Sequence, residues 1–208
     1  MKLSVIFTVY LICVTSCQSQ TKVKSSERDV GGRCEGCEAL YEYGDKVLTS
    51  IDTLPYFKEN EPKLKLTGRV YKSDGKTPAN DVILYVYHTD RDGIYKTTGD
   101  ETGWAKRHGR IRGWIKTDKT GNYTFYTFRP GAYPNRQTYE HIHITVKEPS
   151  TNAYYIDEFI FNDDPLLEAQ DRSRLEDRGG SGIVFPKMEN GLLTVQRDIL
   201  LGKNIPDY

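Results

Sequence analysis

The stretch Ala132-Tyr133-Pro134-Asn135-Arg136-Gln137-Thr138-Tyr139-Glu140-His141-Ile142-His143-Ile144-Thr145-Val146 decides how the rest of the chain is read. Its second half alternates. Side chains on a strand switch faces at every residue, so His141, His143 and Thr145 share one face and Ile142, Ile144 and Val146 the other. The aliphatic face reads as core. The two imidazoles, roughly 6.5–7 Å apart at Cα by strand geometry, converge on one side of the sheet and can meet at one ion. This is a strand-borne pair, unlike the helical i, i+4 pair of zinc peptidases. The bland alternative is a pair of hydrogen-bonded sandwich histidines, which would need no Tyr-Pro corner at Tyr133-Pro134.

Outward from this strand the chain is a series of short alternating runs separated by turn chemistry. Residues 64–71 alternate as a strand, Ser73-Asp74-Gly75-Lys76-Thr77-Pro78 turns, and residues 82–88 form a second strand closed by Asp90-Arg91-Asp92-Gly93. Residues 96–109 are a polar loop. Residues 111–117 form a strand, with residues 123–128 expected as its hairpin partner across Asp118-Lys119-Thr120-Gly121-Asn122. One strand is expected over 153–161, a short helix at 166–169, and closing strands at 183–185 and 192–197. This pattern predicts an all-β fold, an antiparallel β-sandwich with little helix.

The chain has 208 residues, with 29 basic and 29 acidic side chains, which argues against a nucleic-acid partner. Lys2 and the apolar run 3–14 read as a signal peptide over residues 1–16, too short for a membrane span. Val14-Thr15-Ser16-Cys17 resembles a bacterial lipobox, which implies cleavage before Cys17, its lipidation, and an exported lipoprotein whose only membrane contact is the anchor. An ordinary signal peptide cut nearby is the alternative. Residues 17–62 are expected to be lipidated cysteine, tether and extended lead-in, and residues 63–208 the domain. In an exported chain Cys34 and Cys37 are expected to form a local disulfide.

The ordered pieces resemble a known family. Leu66-Thr67-Gly68-Arg69-Val70, Asp74-Gly75-Lys76-Thr77-Pro78, Gly93-Ile94-Tyr95, Ile111-Arg112-Gly113, Gly121-Asn122-Tyr123-Thr124-Phe125, Arg129-Pro130-Gly131-Ala132-Tyr133-Pro134 and His141-Ile142-His143 are similar, in that order, to the intradiol ring-cleavage dioxygenases. The match covers about residues 63–148. The resemblance implies a sandwich with a non-haem Fe(III) centre, held by Tyr95, Tyr133, His141 and His143, with Tyr133 and His141 axial. It implies cleavage of a catecholic ring between its two hydroxylated carbons by O2, giving a muconate-type diacid, as in aromatic catabolism. Tyr133 would leave the metal and take a substrate proton. The family's dimerising N-terminal helices have no counterpart, so a tethered monomer is expected.

One departure stands out. The family usually carries an Arg three residues before the first His, and here that position is Thr138, with Glu140 directly before His141. Arg136, of matching parity, and Arg112 are the candidates to supply the catalytic positive charge. The run Lys106-Arg107-His108-Gly109-Arg110-Ile111-Arg112 reads either as an acid-binding patch or as a solvated loop. His88 and His108 read as structural, and Trp104 and Trp114 as pocket or packing residues. The opening motifs also resemble transthyretin-like, carboxypeptidase regulatory-like modules, which would make the chain a non-catalytic binding lipoprotein; such modules have no use for Tyr133 or the His-x-His. A zinc site on the two histidines would lack a third ligand in register.

Overall fold

The structure, a computed structural model, describes residues 27–135 and 137–208. The signal peptide, Cys17 and Arg136 fall outside the described residues.

Two six-stranded sheets pack face to face. The first is built on β2 (Lys63–Tyr71) paired antiparallel with β5 (Asn122–Phe128). It is extended by parallel additions, β1 (Ile51–Thr53) on β5 and β11 (Leu192–Gln196) and β12 (Ile199–Leu200) on β2, with β10 (Lys187–Glu189) at the edge. The second runs β4 (Arg112–Lys116), β3 (Ile83–Tyr87), β6 (His141–Lys147), β8 (Phe159–Phe161) and β9 (Ile183–Val184), with β7 (Ala153–Tyr155) on β6. The long pairs are antiparallel, as the alternation predicts; β8 and β9 pair in parallel. Leu64, Leu66, Val70 and Phe125 from one sheet meet Leu84, Val86, Ile142, Ile144 and Val146 from the other, all at 2% exposure or less. Burying each such side chain contributes about 1.5–3 kcal/mol. Among the described residues, helix is confined to a 3₁₀ turn (Cys37–Tyr41), α1 (Ala105–His108) and α2 (Ala169–Arg174).

Three expectations are corrected. β4 and β5 are not a hairpin: β4 pairs with β3 in one sheet and β5 with β2 in the other. The connection is pinned to both layers, because Thr117 Oγ1 accepts from Val82 N and donates to Ala79 O, while Gly121 O accepts from Val70 N. The single strand expected over 153–161 is two strands. Buried Arg197 draws off the carbonyls of Asp157 (2.5 Å) and Glu158 (3.2 Å) and breaks the ladder between them. The short helix lies at Ala169–Arg174, where Glu168 and Asp171 form a reciprocal capping box.

The segment ahead of residue 63 is packed structure. β1 joins the first sheet, Leu54 is core, and Val30 is bracketed by Asn152, whose Oδ1 and Nδ2 bond its N–H and C=O. The 3₁₀ turn seats Ala39 and Leu40 against Tyr85 and Trp114, on the outer face of the second sheet. Cys34 and Cys37 are joined by a disulfide.

Candidate metal centre

The candidate site lies on that outer face. β6 carries His141 (8% exposed) and half-buried His143 away from the core, while Ile142 and Ile144 point into it. Two loops bring the tyrosines. Residues 90–95 and 129–133 press backbone to backbone: Gly131 N donates to Asp90 O (2.9 Å), Thr89 Oγ1 to Gly131 O (2.9 Å), and Arg91 Nη1 to Arg129 O (2.8 Å). Gly93 has φ +79°, and a Cβ there would lie 2.0 Å from Ala132 O; one on Gly131 would lie 2.3 Å from Arg91 O. Glycine is required at both places by this close approach. Asp90 Oδ1 accepts from the Asp92 and Ile94 amides and sets the turn into Tyr95.

All four side chains singled out by the sequence converge. Tyr95 Oη lies 2.7 Å from Tyr133 Oη and 2.7 Å from His143 Nε2. Tyr133 Oη is 3.3 Å from His141 Nε2, and the two Nε2 atoms are 3.2 Å apart. The far nitrogens fix the tautomers. His141 Nδ1 faces the Tyr139 carbonyl (2.8 Å), which only accepts, so that nitrogen carries the hydrogen. His143 Nδ1 faces Glu158 Oε1 (2.9 Å). Burial opposes ionisation of Glu158, but the hydrogen bond from His143 outweighs it and holds its pKa below the usual carboxylate range. Nδ1 of His143 therefore donates as well, and both Nε2 lone pairs point into the cluster.

A count of hydrogens then shows what the cluster wants. Four contacts close a ring of four donor atoms, and only the two hydroxyl hydrogens are available for them. Two contacts are left as acceptor against acceptor. A cation at the centre resolves this, and phenolate oxygen with imidazole nitrogen suits a hard-to-borderline ion such as Fe(III). Without one, burial and the hydrogen bond to Tyr133 push the Tyr95 pKa far up, burial raises that of Tyr133, and burial lowers that of His141. Each shift favours the uncharged form, and a bound cation reverses that preference for the phenols.

His141, His143 and Glu158 present ligand-type atoms within 4.8 Å of one another, so a carboxylate does stand beside the histidines. It meets His143 on Nδ1, the nitrogen turned away from the cluster, and is its orienting partner. No spacing rule pointed to Glu158, because the Arg197-driven break aims it. Glu140, whose charge directly precedes His141, is held by Arg129 Nε at 2.5 Å.

A cleft of about 290 Å³ opens onto the cluster, lined by Tyr95, Tyr133, His143, Tyr87, Trp104, His108, Arg107 and Glu35. Tyr87 is sandwiched between His143 (centroids 4.4 Å) and His108 (3.8 Å). Arg112 is not among the lining residues; it pairs with Glu42 (2.7 Å) and lies over Trp114, beside a separate cavity. His88 is structural, bonded by Thr89 O and Thr127 Oγ1, each at 2.7 Å. Trp114 packs under the 3₁₀ turn, with Nε1 on Ala39 O.

A family profile described as "Dioxygenase" matches residues 51–174, from the first residue of β1 to the last of α2. The chain belongs to the intradiol dioxygenase family. The protocatechuate 3,4-dioxygenase beta chain of Burkholderia cepacia is 29% identical over 137 residues, covering 60% of this chain and 58% of its own. The chain thus spans less than two thirds of that relative. The dioxygenase domain of a dioxygenase–carbohydrate-binding fusion from Streptomyces sp. SirexAA-E superposes with TM-score 0.52 at 22% identity, over 67% of this chain and 79% of that one. Catechol 1,2-dioxygenase from Acinetobacter sp. ADP1 superposes with TM-score 0.55 at 16% identity, over 74% and 57%. At such identities these two show the fold, the intradiol dioxygenase sandwich. Membership in this family sets aside the transthyretin-like reading of the opening motifs.

Proposed function

We propose that this protein is an Fe(III)-dependent intradiol dioxygenase that opens a catecholic ring between its two hydroxylated carbons with O2, giving a muconate-type diacid. The observation that carries the proposal is the ring of two phenols and two imidazoles with too few hydrogens for its contacts. Tyr95, Tyr133, His141 and His143 would hold the ion, and Glu158 and the Tyr139 carbonyl would orient the imidazoles. Ferric iron, when bound, supplies Lewis acidity toward the ring oxygens of a catechol.

The chain's own residues have separable tasks. Tyr95 and Tyr133 would hold the ion as phenolates, giving up their phenolic protons to do so. Tyr133 sits on a loop, and its 3.3 Å contact with His141 is the longest of the four, against 2.7 Å for both contacts of Tyr95. We assign Tyr133 as the phenolate that accepts a proton at Oη from the incoming catechol. Tyr87, stacked between His143 and His108, and Trp104 line the cleft with aromatic groups. Thr138 offers no positive charge.

The test is metal analysis and a visible spectrum of the iron-loaded domain, followed by catechol added without oxygen. A phenolate-to-iron band that shifts with catechol, and ring-opened diacid once air is admitted, support the proposal. A colourless protein, or a band that catechol leaves unmoved, contradicts it.

We also propose that the chain is exported and anchored through a lipid on Cys17. The Cys34–Cys37 disulfide supports an oxidising compartment. Palmitate labelling that persists in Cys17→Ala would contradict the anchor.

A further inference from the structure

Among the described residues, the charged side chains lining the cleft are Arg107 and Glu35, and they are paired with each other. Arg107 comes from α1 and lies over Trp104, 5.6 Å from the ring centroid. Glu35 comes from the Cys34–Cys37 loop, and the disulfide and Gly36 fix where it stands. Gly36 has φ +87°, and a Cβ there would meet His108 Nε2 at 2.9 Å, so the loop rests directly on the ring stacked against Tyr87. On its other side the same loop lines a second cavity of about 150 Å³, which reaches His143 and Glu158. Glu35 is therefore part of the wall between two openings onto His143.

The pair is exposed, at 64% for the Arg107 side chain and 62% for Glu35. Exposed ion pairs hold weakly and exchange partners readily. A carboxylate on an incoming ring would meet a guanidinium whose present partner is also a carboxylate, and planar carboxylate is what guanidinium binds best.

Resting on the ring-cleavage reading above, we propose that Arg107 is the anchor for an anionic ring substituent and that Glu35 competes with the substrate for it. The cleft then sorts catechols by charge. A neutral ring enters with the Arg107–Glu35 pair intact, and a carboxylated ring enters by taking Glu35's place. This places a positive charge at the cleft on α1, reached through the fold.

The test is anaerobic binding to the iron-loaded protein, with dissociation constants for catechol and for 3,4-dihydroxybenzoate read from the visible band. Wild type, Glu35→Gln, Arg107→Gln and Arg107→Lys are compared, with melting curves to confirm that each is folded. Glu35→Gln should tighten the benzoate relative to catechol by about fivefold, as befits an exposed pair. Arg107→Gln should weaken it relatively by at least as much, with Arg107→Lys in between. A benzoate-to-catechol ratio unchanged in folded Glu35→Gln and Arg107→Gln overturns the anchor while leaving the ring-cleavage proposal standing. Failure of wild type to bind catechol at all sinks the earlier proposal instead.

Discussion

Glu158 is the residue whose removal says most about how the site is held. Its Oε1 accepts from His143 Nδ1 at 2.9 Å, and its side chain is 35% exposed. The carboxylate is ionised, so this is a charge-assisted bond that turns Nε2 toward the cluster and makes it more basic. Losing such an outer partner typically costs about 10- to 100-fold in metal affinity. The adjoining cavity of about 150 Å³ is lined by both His143 and Glu158, so water can reach a freed Nδ1–H. Water restores the hydrogen bond but not the charge, which places Glu158→Ala in the lower part of that range, about 10- to 30-fold or roughly 1.4–2 kcal/mol. Glu158→Gln keeps an acceptor oxygen and loses the charge, so it should fall short of tenfold. Both numbers come from titrating iron-loaded protein with a competing chelator while following the visible band. Unchanged affinity in Glu158→Ala would refute the orienting role. An equal collapse in both variants, beyond about a thousandfold, would make Glu158 a direct ligand and refute it equally.

Further outcomes follow from the same geometry. Gly93→Ala places a methyl 2.0 Å from Ala132 O at φ +79°, so the two tyrosine loops must part; strain and overlap together should cost about 2–4 kcal/mol in melting of the metal-free protein, and iron affinity should fall with it. Burial lowers the His88 pKa to about 4, against 6.5 for the free group, so the unfolded chain binds a proton there that the fold refuses. Stability from this residue is intact above pH 6.5 and is lost as pH falls toward 4, by on the order of 3 kcal/mol, and urea melts of His88→Asn should show a flatter acid limb. Arg112→Gln breaks the pair with Glu42 away from the cleft, so it should lower the melting temperature and leave the catechol dissociation constant within about twofold.

The parts legible in the sequence were those written locally. Alternation placed β6 with its histidines on one face, and turn chemistry around Asp74 and Asp90 marked the strand ends. The four clustered side chains were legible because their motifs occur in a fixed order, although nothing local separates Tyr95 or Tyr133 from the chain's other tyrosines. What escaped depends on distant partners. The crossing of β4 and β5 into different sheets is fixed by Thr117 and Gly121 bonding to separate layers. The break that aims Glu158 depends on Arg197, about forty residues away. The lead-in reads as an extended tether because its buried residues, Val30, Leu40 and Leu54, are too sparse to show a period.

The most direct measurement is iron stoichiometry with the visible spectrum of wild type beside Tyr95→Phe and Tyr133→Phe. The account predicts close to one iron per chain in wild type, a phenolate-to-iron band, and a weaker, shifted band in each single variant as one phenolate is lost. Iron bound with an unaltered band in both variants would contradict it.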